Sequence, residues 1–202
     1  GGGYRLAAEL GHQITTLKPA LVPLEVREGW VRELQGLALK NVAIKLLTLQ
    51  GRKVYSDFGE MLFTHFGVSG PIILSASTHL RKATSYRLVI DLKPALTPEQ
   101  LDARIQRDFQ KHAKKVFANA LDDLLPRTLI PIVVHLTAIP PEKQVSHITK
   151  EERERLGLLL KGLEMEITGL RSLSEAIVTS GGISVKEIKP STMESKLVRG
   201  LF

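Results

Sequence analysis

Arg87-Leu88-Val89-Ile90-Asp91-Leu92 runs directly into Lys93-Pro94-Ala95-Leu96-Thr97-Pro98-Glu99-Gln100 (RLVIDLKPALTPEQ, residues 87–100), and the hydrophobic period changes inside that stretch. Leu88, Ile90 and Leu92 alternate against Arg87, Val89 and Asp91, which predicts a strand with one apolar face. Thr97 then reads as a helix N-cap, Pro98 as the first helical residue and Gln100 as the return partner of a capping box. Downstream, Leu101, Ile105 and Phe109 form an apolar stripe, and Val116, Phe117, Ala120, Leu121, Leu124 and Leu125 continue a helical pattern. A second capping box at Thr149-Lys150-Glu151-Glu152 opens a helix that buries Leu156, Leu159 and Leu160 and ends at Gly162. Between them, Pro131 forbids a regular central strand or a mid-helix position in 129–139, so a short helix starting near Pro131 is the preferred reading.

The period returns to two on both sides of this helical segment. Upstream, Val42, Ile44 and Leu46 alternate, and Gln50-Gly51 turns the chain into Arg52–Tyr55. Downstream, Leu163, Met165 and Ile167 face one way and Glu164, Glu166 and Thr168 the other. Residues 176–179 and 183–188 flank Ser180-Gly181-Gly182, which predicts a hairpin. A lone hairpin is barely stable in water, so strands from the two segments are expected to build one β domain. Tyr4–Leu10 reads as a helix end, with Gly11 as its stop. The class is therefore α+β, with the helices of 94–161 inserted into a sheet that is discontinuous in sequence.

Composition sets the outer limits. The 202 residues are 43% hydrophobic and 24% charged, ordinary for a globular chain long enough to bury a core. No apolar run reaches the roughly 18 residues of a membrane span, and no signal-peptide pattern opens the chain. The absence of cysteine excludes disulfides, thiolate zinc sites and a cysteine nucleophile, and the expected compartment is the cytoplasm. The net charge of +7 is spread thinly: residues 1–97 carry 12 Lys and Arg against 7 Asp and Glu. No basic stripe with interleaved aromatics marks a nucleic-acid groove, so neither nucleic acid nor membrane is expected as a partner.

Few residues could carry chemistry. Gly67 and Gly70 bracket Val68-Ser69, and Pro71 opens Ile72-Ile73-Leu74, so Ser69 or Gly70 would cap a helix there. A structural turn and cap is the first reading of these residues, and an anion site at the helix start the second. His65 reads first as a hydrogen-bonded packing residue. Gly67-Val68-Ser69-Gly70-Pro71 approaches a nucleophile elbow but places proline where the final glycine belongs. Gly181-Gly182 reads as a tight turn, or alternatively as backbone that lets a flat cofactor ring approach. The six histidines have no metal-ligand spacing, and no metal is expected. Asp122-Asp123 and Glu151-Glu152 read as solvated helix faces.

Phe63–Pro71 (FTHFGVSGP) and Thr179–Phe202 (TSGGISVKEIKPSTMESKLVRGLF) together resemble a bacterial family of NAD(P)/FAD-dependent, aminoacetone-oxidase-like flavoproteins that includes bile-acid reductases. Segments 10–24 (LGHQITTLKPALVPL), 34–42 (LQGLALKNV) and 166–171 (EITGLR) resemble the same family in order. The resemblance implies a translation-factor-like β-barrel, discontinuous in sequence and interrupted by a small all-helical domain, inserted into an FAD-binding domain. It divides the chain into a remnant of that domain with the incoming strand (1–17), barrel (18–93), helical insert (94–161), barrel (162–188) and a return segment (189–202). It also implies that this chain is the middle of a longer flavin oxidoreductase. FAD and NAD(P)H are then the expected cofactors, the missing FAD-binding domain the partner, and a small organic molecule the substrate. His65, Ser69, Gly70, Thr179, Gly181 and Gly182 become the residues expected to lie together facing the flavin, with His65 a weak catalytic candidate. The family's glycine-rich dinucleotide fingerprint is absent from 1–202, and Gly1-Gly2-Gly3 stands where relatives carry Gly-Asp-Gly. The competing expectation is a stand-alone barrel module that binds protein or RNA.

Overall fold

The computed structural model describes residues 2–80 and 85–202. In chain order the elements are α1 (Gly2–Glu9), β1 (Lys18–Ala20), β2 (Leu24–Val26), β3 (Ala38–Thr48), β4 (Lys53–Phe63) and β5 (Gly67–Ser69). There follow α2 (Pro71–Ser77), β6 (Tyr86–Asp91), α3 (Pro98–Lys111), α4 (Ile130–Thr137), α5 (Lys150–Lys161), β7 (Leu163–Leu170) and β8 (Val178–Ser180). Two compact units result: residues 23–170, and residues 1–22 with 171–202.

The larger unit is α+β, a closed antiparallel barrel in the order β2-β5-β4-β3-β6-β7. The alternation read from the sequence becomes layers of its interior. Ile44 pairs with Ile90 and Ile90 with Leu163; Leu46 pairs with Leu88 and Leu88 with Met165, all of them buried. The opposite face carries Lys45, Arg87 and Glu164, with Arg87 Nη1 3.0 Å from the Glu164 carboxylate. Closure pairs every strand on both sides and so removes free edges.

Helices α3 to α5 leave the barrel after β6 and return at β7. Both capping boxes form: the Thr97 side chain accepts from Gln100 N–H and Gln100 answers at Thr97 N–H, and Thr149 and Glu152 do the same. Exit and return are neighbours, since Leu92 N–H donates to Leu160 O at 2.8 Å and Lys161 Nζ lies 2.6 Å from Asp91. The buried apolar residues of barrel and helices form one continuous cluster. The 129–139 segment is the short helix α4, with Pro131 in its first turn and Val133 buried.

Three expectations are corrected. Residues 116–125 do not continue a helix: Phe117 N–H donates to Lys143 O and Ala118 N–H to Pro141 O, leaving only a 3-10 turn at Phe117–Asn119. The hairpin around Ser180-Gly181-Gly182 does not form. Instead β8 pairs with β1, Ile183 bridges Ile14, and Val185–Glu187 is a 3-10 turn. The donors and acceptors a hairpin would use are taken by residues 13–15, where Thr15 N–H donates to Gly182 O and Ser184 N–H to Gln13 O. For the same reason the barrel is not 18–93 plus 162–188: its strands run from Leu24 to Asp91 and from Leu163 to Leu170, and β1 and β8 form a separate two-stranded sheet.

Candidate functional site

The sequence candidates fall in both units. In the larger one, the segment between β4 and β5 is a tight turn. Thr64 N–H donates to Gly67 O (2.9 Å), Gly67 N–H donates to the Thr64 hydroxyl (3.1 Å), and His65 and Phe66 occupy the tip. His65 is exposed and meets the Phe66 ring edge-on at 4.9 Å. Ser69 is half-buried in β5, paired with Leu62. Gly70, not Ser69, is the N-cap of α2, and it caps without a side chain.

What the missing side chains make room for here is the chain itself. A Cβ on Gly67 would fall 2.1 Å from Leu24 O, inside the β2–β5 pair. Gly70 has φ +96, and its Cβ would fall 2.8 Å from Met61 Cα. Both glycines let β5 and α2 close against the barrel, the structural reading of the motif.

In the smaller unit, Thr179 is exposed on β8. The Thr15 hydroxyl lies 3.0 Å from both the N and O of Gly182. A Cβ on Gly181 would fall 2.5 Å from Thr16 O, and one on Gly182 3.2 Å from the Tyr4 ring. The flat ring that approaches Gly182 within this chain is therefore Tyr4.

Sequence reasoning passed over the most connected polar group in this unit. His12 is 4% exposed; its Nδ1 lies 2.9 Å from Glu187 Oε2 and its Nε2 2.9 Å from Ser195 Oγ. Ser195 Oγ also accepts from Leu197 N–H (3.0 Å) and Val198 N–H (2.9 Å). With both lone pairs engaged, the serine hydroxyl gives its own proton to Nε2, which puts the imidazole proton on Nδ1 facing Glu187. Hydrogen bonds from His12 and from Gln13 N–H hold the Glu187 carboxyl below the usual range. Serine, histidine and carboxylate are in line, but Ser195 is 3% exposed and its oxygen is spent on backbone donors. The arrangement is a clasp, not a nucleophile.

The barrel has a smaller polar cluster. The Tyr55 hydroxyl donates to Asp57 at 2.7 Å, which raises its pKa, and His79 stacks on the ring at 4.3 Å. Among the described residues no group of three or more His, Cys, Asp or Glu side chains could hold a metal, and no helix is long and apolar enough to cross a membrane.

Residues 18–178 match the family described as HI0933-like protein barrel and H2TH domain. The chain belongs to this family. Its relatives include the 3-dehydro-bile acid delta(4,6)-reductase of Clostridium scindens, 28% identical over 100% of this chain and 50% of that protein. They also include proteins named ribosomal RNA dihydrouridine synthase, from Haemophilus influenzae (29% identical, 99% of this chain, 47% of that protein) and Escherichia coli (27%, 99% and 48%). The chain thus spans about half the length of the curated relatives it matches. The resemblance carried by FTHFGVSGP and TSGGISVKE is borne out, a bile-acid reductase being among these relatives. Within the family match lie His65, Ser69 and Gly70; Thr179, Gly181 and Gly182 follow its last residue.

Proposed function

We propose that this chain is the barrel-and-helix insert of a flavin-dependent reductase that saturates a carbon–carbon double bond conjugated to a carbonyl. The observation that carries the chemistry is common to the relatives' names. A Δ4,6-reductase of a 3-dehydro bile acid acts on double bonds conjugated to a 3-oxo group. A dihydrouridine synthase acts on the uracil C5–C6 double bond, conjugated to the C4 carbonyl. In either case a hydride equivalent adds to the end of the double bond remote from the carbonyl (the β carbon, or the δ carbon for the Δ6 bond), a proton adds to its other carbon, and a reduced cofactor is oxidised. FAD and NAD(P)H are the cofactors in this reading.

The residues of this chain do not fit a complete FAD site. Gly67, Gly70 and Gly181 close on main chain, Gly182 closes on Tyr4, and among the described residues no glycine-rich strand–turn–helix for a pyrophosphate occurs. The proposed role is to cover a cofactor held by the rest of the parent protein and to shape the substrate pocket. Support comes from apolar exposure. Nine of the twelve exposed large hydrophobics among the described residues belong to the smaller unit, including Leu6, Ile177, Val185, Met193, Leu197 and Phe202. These side chains are available to be covered by the rest of the parent protein. His65, Ser69 and Gly70 in the barrel, and Thr179, Gly181 and Gly182 in the smaller unit, stand as the proposed cofactor-side residues of their units.

A small α,β-unsaturated ketone is the favoured substrate class. Two relatives named for ribosomal RNA, with exposed Arg107 in the last turns of α3 and exposed Lys114 and Lys115 in the turn after it, favour uridine in RNA as the second reading. The test uses the parent protein. It should purify yellow and oxidise NAD(P)H when given a steroid 4-en-3-one, while the 202-residue chain alone is colourless. Turnover with uridine-containing RNA but not with the steroid selects the second reading, and a parent without flavin overturns both.

A further inference from the structure

Strands of the closed barrel have neighbours on both sides, whereas among the described residues β1 and β8 form a sheet of two strands and so leave two outer edges. The two edges differ in chemistry. Pro19 lies opposite Thr179 and has no N–H, so this pair exchanges no hydrogen bonds with each other. In an antiparallel ladder the main-chain groups of such a pair point outward. The β1 edge therefore presents a proline ring, a common guard against further pairing. The β8 edge presents the N–H and C=O of Thr179, flanked by Ile177 and Val178 at 66% and 45% exposure, with no proline or charged residue between 177 and 180. Two-stranded sheets of this kind are marginal in water without further partners.

We propose that the outer edge of β8, residues 177–180, is a strand-docking edge, occupied by an extended segment of the parent polypeptide that lies outside these 202 residues and bonds to Thr179 through its main chain. The occupant follows from length: the curated relatives match essentially the whole of this chain and are about twice as long, so chain outside it is at hand in the same molecule. Pairing within one polypeptide costs less entropy than pairing with a second copy. This rests on the reading of the chain as part of a longer protein.

Amide hydrogen exchange on the purified parent protein tests it. The Thr179 N–H should exchange about 100-fold or more slowly than an unprotected amide, at concentrations where light scattering finds a monomer. Thr179→Pro, which removes the N–H, should lower the melting temperature of the parent by clearly more than Thr179→Ala, which keeps it. Exchange of Thr179 at the unprotected rate overturns the proposal, as does protection that appears only when the parent dimerises, the mark of a second copy on the edge. The reductase reading fails separately. A flavin-free parent that still protects Thr179 keeps the edge and loses the function; an active yellow parent with an unprotected Thr179 does the reverse.

Discussion

The two units of this chain are held together by different means. In the larger, 37 buried apolar residues among those described form one cluster through barrel and helices. In the smaller, the buried apolar residues are Ala7, Ala20 and Val22, and buried places are also taken by His12 and Ser195. Apolar burial is non-directional and additive over area, so the first unit has many small supports. A hydrogen-bonded clasp is directional and all-or-nothing, because a buried group left without its partner carries the full cost of its desolvation. The difference teaches where dependence on the rest of the protein is to be sought: in the unit with the polar clasp and the uncovered apolar residues.

The largest effect expected from breaking this comparison is in the larger unit. Replacing 95–161 with a short Gly/Ser linker joins points that are already adjacent and leaves every barrel ladder intact. The barrel should stay folded but lose on the order of 2–4 kcal/mol from the apolar surface uncovered where the helices packed. Circular dichroism should show a β-rich chain with one cooperative denaturant transition at a lower midpoint. An aggregated or unfolded product would show that barrel and helices are one indivisible body.

Next in size is the clasp. His12→Ala removes a buried imidazole and leaves the proton of the buried Ser195 hydroxyl without its acceptor, while Glu187 keeps only the Gln13 N–H. It should cost the smaller unit about 1–3 kcal/mol. In the parent, exchange of the 195–201 amides should accelerate while that of Leu46 and Leu88 in the barrel does not. Equal acceleration in both units would refute separate supports.

Much of the larger unit was legible because its signals are local. Alternation at Leu88–Ile90 and Leu163–Met165–Ile167 needs only neighbouring residues to declare an inner face, and the boxes at Thr97 and Thr149 are complete within four residues. Failure came where distant chain overrides a local pattern. Phe117 looks helical until its N–H is taken by Lys143 O, and Ser180-Gly181-Gly182 looks like a hairpin turn until residues 13–15 take its bonds. The clasp was invisible for the same reason: His12 meets partners 175 and 183 residues away, and no spacing rule reaches that far. At Gly67 and Gly70 the glycines were found, but the structure gives their space to Leu24 and Met61.

Acid should separate the units more gently. Hydrogen bonds from His12 and Gln13 N–H depress the Glu187 carboxyl in the folded state relative to its ordinary value of 4.5. A carboxyl depressed on folding contributes stability that is present above its unfolded pKa and lost as pH falls through its folded one. Protection of the 195–201 amides should therefore decline as the pH is lowered below about 4.5, the unfolded value for a glutamate. Glu187→Gln should lower protection at neutral pH and flatten that decline. A decline of unchanged steepness in Glu187→Gln would assign the acid response to other carboxylates.

The smallest effect concerns Gly182, where the two meanings of a glycine can be told apart. Its φ of +135 is strained for any side chain, and a Cβ there would press on Tyr4 at 3.2 Å. Gly182→Ala should cost about 1 kcal/mol from the backbone. The ring should add a coupling of roughly 0.5 kcal/mol or more that disappears in the Tyr4→Ala background, as a double-mutant cycle on the parent protein measures. If stability alone is affected, Gly182 serves Tyr4, and flavin reduction by NAD(P)H should proceed at its normal rate in Gly182→Ala once the protein is folded. If flavin reduction slows in Gly182→Ala, and slows equally when Tyr4 is already alanine, the ring within the chain is not what the glycine accommodates. The cofactor-side role proposed for 179–182 then stands on a rate and not on a resemblance.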